Sequence, residues 1–247
     1  SRPLVGTCLL KCRCARSPCC VVTRALCTEG KHFVDPVAPW WEHVFMIVAV
    51  LPHTNAVYTQ KAFSDASEMA RILGRADLEE EYSKKASALA KKINTDFWSE
   101  DFSAYADFIA TDQETLHLIQ DAIVRADTLQ KPWAVEELKA TAAFIKANPS
   151  KKARPFVVHH NWVVNTPLET GLAPRDKALK ALETAAKYTN PYGVFVTGID
   201  RDASAGKEFG SFKGAKQFSY TGAVMTLPTG VQAIAENNYG RPDKALD

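Results

Sequence analysis

What most constrains this chain is a helical rhythm that starts near Thr54 and returns in pairs. Tyr58, Ala62, Ala66, Met69 and Leu73 are spaced 4, 4, 3 and 4, which draws one apolar stripe along a helix. Gly74 then suits the left-handed residue that ends it. Asp77 and Glu80 read as a capping box for a second helix, striped by Leu78, Tyr82, Ala86, Leu89, Ile93 and Phe97. So short a turn makes the two helices antiparallel, an αα-hairpin. Thr111 and Glu114 form another box, opening a helix with Leu116, Ile119, Ile123 and Ala126 on its apolar face. Pro132 suits the first position of the next helix, which carries Val135, Leu138, Ala142 and Ile145 and stops before Pro149. Similar starts recur at Pro174-Arg175-Asp176 and Arg241-Pro242-Asp243, and Gly240-Arg241 echoes Gly74-Arg75.

The first 53 residues have another character. All six cysteines fall within residues 8–27, and residues 1–31 hold six bases against one acid, although the whole chain is near neutral at +2. No pair has C-x-x-C spacing, and bases interrupt any signal-like apolar run. A zinc or disulfide knot, a signal peptide and a non-native translated stretch compete here. The last fits the Arg, Cys, Ser and Pro content best, so residues 1–53 are expected to be non-native or disordered, and 54–247 to form the domain. The longest apolar run, Val44 to Leu51, is eight residues, short of the roughly 18 a spanning helix needs, so no membrane span is expected. The near-neutral charge gives no footing for nucleic acid. Residues 54–247 lack cysteine, which fits a cytoplasmic or a periplasmic setting.

Two segments break the helical rhythm with polar and aromatic residues: Arg154 to Gly171, and Phe218 to Gly230. Between them runs a long loop with five glycines and the group Asp200-Arg201-Asp202. Trp, Tyr and His among Asn and carboxylates suit a sugar site, because aromatic faces stack on pyranose C–H groups while polar groups bond the hydroxyls. Each residue also has a plainer role. His159 and His160 are adjacent, so on a helix they would not face one metal, and no metal is expected. His117 reads as a packed or surface helix residue, Trp98 and Trp133 as core, and Asp200 and Asp202 as loop-shaping charges. Glu169 reads as a helix-start charge.

The order of segments Phe97-Trp98, Tyr105-Ala106-Asp107, Arg154-Pro155, Pro191-Tyr192-Gly193 and Tyr220-Thr221-Gly222-Ala223-Val224 resembles the glycogen-debranching, amylo-α-1,6-glucosidase-like group of six-hairpin toroid glycosidases. The likeness covers residues 54–247. It departs at Arg154-Pro155-Phe156-Val157, where the group has Arg-Pro-Asn-Gln, and at Val224-Met225-Thr226, where it has Val-Trp-Pro. It implies an all-α fold, a partial (α/α)6 toroid truncated at both ends. It also implies hydrolysis of an oligosaccharide or polysaccharide by two carboxyl groups, with no cofactor. The group's acid and base would fall outside residues 54–247, so the fragment is expected to be inactive alone. His160, Asn161, Trp162, Tyr220 and Thr221 would form a substrate-binding wall, with Asp107 as the fallback catalytic carboxylate. A rhamnosidase-like specificity stays open. The alternative is a helical-repeat scaffold that binds protein without catalysis.

Overall fold

A computed structural model describes residues 39–201 and 222–246. Among them are eight α-helices: α1 (Pro39–Ile72), α2 (Ala76–Asp96), α3 (Asp112–Thr128), α4 (Pro132–Ala147), α5 (Thr166–Glu169), α6 (Arg175–Ala185), α7 (Thr226–Asn238) and α8 (Pro242–Leu246). The mostly helical, all-α expectation holds. α1/α2, α3/α4 and α7/α8 are hairpins.

One turn is used at each hairpin. At α1/α2, Arg75 N–H bonds Ala70 O (2.9 Å) and Gly74 N–H bonds Arg71 O (3.1 Å), with Gly74 at φ 68°. At α7/α8, Arg241 bonds Glu236 O and Gly240 bonds Asn237 O, with Gly240 at φ 78°. At α3/α4, Lys131 bonds Ala126 O and Gln130 bonds Asp127 O, and here the left-handed residue is Gln130 at φ 55°. These are Schellman turns, in which two orphan carbonyls at a helix end find donors. The next helix begins two residues after the left-handed position each time.

Helix starts follow the sequence less evenly. Thr111 and Glu114 make the full reciprocal box, and Pro132 is the first residue of α4. The box expected at Asp77 and Glu80 does not form: α2 begins at Ala76, two residues earlier than that box would start it, Asp77 pairs with Arg75, and Glu80 pairs with Lys84. The apolar stripe expected on α1 is also displaced. Val57 and Ala70 are buried, whereas Met69 is 57% and Leu73 75% exposed. The reason is where α2 lies. Ser67 donates to Glu79 O, and Phe63 stacks on Tyr82, so the inward face is set one position away from the stripe. α1 also runs unbroken through residues 53 and 54, so the change of composition there is not an element boundary. Residues 1–38 lie outside the described residues, and so does any knot or leader proposed for them.

Three two-stranded ladders join the hairpins: β1 (Trp98–Ser99) with β2 (Ala104–Tyr105), β3 (Phe108–Ala110) with β4 (Arg154–Phe156), and β5 (Thr189–Asn190) with β6 (Gly193–Val194), all antiparallel. Two apolar cores result. One gathers Val57, Ile93, Trp98, Tyr105, Val164, Leu168, Leu182 and Ala235. The other gathers Phe108, Ile119, Leu138, Ile145, Phe156, Val158 and Ile199. Tyr105 lies in the first and Phe108 in the second, so Asp107 sits at their seam. Val158 and Val164 are likewise divided between them, and the segment 159–162 crosses the same seam.

Candidate functional site

The seam is where the polar residues gather. β3 begins directly after Asp107, and its ladder with β4 brings residues 157–161 alongside. Asp107 is fully buried. Its Oδ2 accepts N–H bonds from Val158 (2.9 Å), His159 (2.7 Å) and His160 (3.0 Å), and its Oδ1 accepts from Asn161 (3.0 Å). Four consecutive amides thus converge on one carboxylate, an anion nest closed from within the chain. The segment then packs on residues 193–199. Gly198 N–H reaches His160 O, Ile199 N–H reaches His159 O, and Trp162 N–H reaches Val196 O. On its other side Val196 N–H bonds Ala223 O, and Met225 N–H bonds Val194 O. The result is a platform of loop strands lying across the two cores.

Charged groups pin its far end. Asp200 is buried and takes both oxygens onto Arg125 Nη1 at 2.6 Å, while buried Lys131 donates to the Asp200 carbonyl. Burial pushes the Asp200 carboxyl up, but the Arg125 charge and hydrogen bond, with Lys131 and His159, hold it below its ordinary value. Arg201 pairs with Glu137 and lies over the Tyr188 ring, 5.6 Å from its centroid. Burial raises the Tyr188 phenol to about 12.

The expected site residues fall in different places. Asn161 is buried, caps the 3₁₀ turn Trp162–Asn165 through Val163 N–H, and bonds Thr197 Oγ1 at 3.3 Å. His160 is buried at φ 48°, with its ring 4.3 Å from that of Tyr188. Trp162 is partly buried at the start of that turn. Tyr220 and Thr221 lie outside the described residues, as does Asp202. Asp107, the fallback catalytic carboxylate, serves here as an anchor, with both of its oxygens accepting backbone N–H bonds. From Trp162 onward the chain makes one 3₁₀ turn followed by the single turn of α5, closed by Gly171 at φ 70°. Glu169, in α5, accepts from Tyr58 Oη at 2.8 Å. Burial first, then this bond and the nearby charge, raises the Tyr58 phenol to about 12. His117 is exposed beside Asp121.

Sequence reading missed Thr197, Arg125 and Lys131. Arg125 stands one residue before the apolar Ala126 of α3, and no pattern in the chain signals that it reaches 75 residues ahead. Among the described residues no three or more His, Cys, Asp or Glu side chains gather to hold a metal. No helix there is long and apolar enough to cross a membrane. An open groove of about 350 Å³ lies elsewhere, between α1 and α2, lined by Gln60, Ser64, Ser67, Glu68 and Ser83 among others. No protein-family model and no curated protein matches the chain.

Proposed function

We propose that the chain is part of a carbohydrate-active glycoside hydrolase built of α/α-hairpins, with the seam platform as one wall of its sugar site. The observation that carries this reading is the four-amide grip of Asp107 on residues 158–161. It holds a loop rigidly and ends at Asn161 and Trp162, a polar group beside an aromatic face. Rigid presentation matters because a sugar hydroxyl gains little from a donor that must first be ordered. Hairpins with a common turn agree with a partial (α/α)6 toroid, and the segment order resembles the glycogen-debranching group. Hydrolysis by a carboxyl pair would draw on groups other than Asp107. The substrate class in this reading is an α-glucan or a related oligosaccharide.

Calorimetric titration of the 247-residue chain with maltotriose, isomaltotriose and a rhamnoside tests it. The expected outcome is binding to at least one, weakened about tenfold by Trp162→Ala through lost stacking. No heat from any of them sinks the sugar reading. A second reading, a protein-binding helical scaffold, draws support from α1, where Met69, Ile72 and Leu73 are exposed together beside the hairpin turn. Protein capture abolished by Leu73→Asp, with no sugar bound, would favour it.

A further inference from the structure

The platform contains two buried imidazoles, each with one ring nitrogen that no hydrogen bond uses among the described residues. His160 is 4% exposed, and its Nε2 is buried with no partner among the described residues. The Nδ1 of His159 is in the same condition. Both belong to the segment whose amides grip Asp107 and whose carbonyls receive Ile199 and Gly198. Any shift of these rings therefore pulls on both sides of the seam. We propose that the pair makes the platform acid-releasable: on acidification, residues 158–162 and 193–201 part from each other and from Asp107 while the helical hairpins stay folded.

The physical cause is that a proton on either ring creates a buried charge: His160 Nε2 and His159 Nδ1 have no partner among the described residues, and the bond of the His160 ring to its own backbone offsets only part of the burial. Tyr188 covers the His160 ring from one side, and Gly198 lies close enough to Tyr188 that an added Cβ would meet that ring at 2.4 Å, so no slack exists there. The surrounding charges only partly compensate. Asp107 favours protonation of both rings, but its oxygens are already taken by four amides. Lys187 opposes it at His160. At His159, Asp200 favours it and Arg125 opposes it, and these two are bound to each other, with Lys131 beside them. Glu137 and Arg201, beyond Tyr188, are likewise paired. Desolvation outweighs these charges and pushes the His160 imidazole down to about 4, with His159 shifted the same way.

The sign follows. A released loop takes up a proton near its ordinary value of about 6.5, whereas the closed platform resists until about 4. Closure is therefore fully favoured above about pH 6.5 and weakens as pH falls toward 4, by on the order of a hundredfold in its equilibrium constant. Nothing here requires a bound sugar, so the release stands apart from the hydrolase reading.

Amide hydrogen exchange on the full chain at pH 7 and pH 4.5, corrected for intrinsic rates, provides the test. Amides of Val158, His159, His160 and Asn161 should lose protection by more than about tenfold, while those of Ala86 to Ile93 in α2 hold theirs. His160→Asn, which keeps a residue tolerant of positive φ, should flatten the response. Equal loss in platform and hairpin, or an unchanged response in His160→Asn, overturns the proposal. Should that variant fail to fold, a carbon-13 titration of the wild-type His160 ring decides. A midpoint near 6.5 with platform amides still protected refutes it, and platform opening coincident with ring protonation supports it.

Discussion

The α3/α4 hairpin and the platform beneath it are ordered by different means. The hairpin is local: a capping box at Thr111, a Schellman turn at Gln130 and a proline at the first position of α4 all lie within about one helical turn of the groups they satisfy. The platform is non-local. Asp107 reaches residues 158–161, Arg125 reaches Asp200, and Asn161 reaches Thr197. Local devices each contribute about 1 kcal/mol and can be lost singly. A converged carboxylate concentrates several bonds in one side chain, so its loss orphans several buried donors together.

The largest expected effect is therefore at the seam. Asp107→Ala should cost more than about 4 kcal/mol, because four amides lose one acceptor. Urea denaturation followed by circular dichroism measures this, and a loss under about 1 kcal/mol would erase the contrast between the regions. Thr111→Ala should cost about 1 kcal/mol by removing one side of the capping box, with the platform amides unaffected in exchange. Gln130→Gly should act in the opposite direction. Gln130 holds φ 55°, a conformation that glycine adopts without strain, and the substitution should raise stability by about 0.5–1 kcal/mol in the same assay. A decrease there would mean that the Gln130 side chain matters more than its backbone.

The hairpins were the readable part. Gly74, Pro132 and the box at Thr111 are signals that act within a few residues, so their meaning survives without the fold. The turn at Gln130 carries no such signal because the residue is not glycine, although its hydrogen bonds match those at Gly74 and Gly240. The inward face of α1 is not legible from spacing, because Ala62, Ala66 and Met69 satisfy a helical period as well as Val57 and Ala70 do. At the site, Asn161 and His160 were found as polar residues in an unusual segment, but their roles were not. Adjacent histidines that would diverge on a helix instead lie on an extended loop, each offering its amide to one carboxylate.

What the sequence determined by itself is the alternation of helix and turn, since capping, left-handed turn residues and apolar spacing act over a few residues at most. What only the tertiary structure decided is which face of α1 turns inward, that Asp107 is an anchor, and that Arg125 and Lys131 close on Asp200. Those outcomes depend on contacts between residues 12 to 75 positions apart. A carboxylate is directed to catalysis or to structure by the donors that reach it, and these arrive only when the chain has folded.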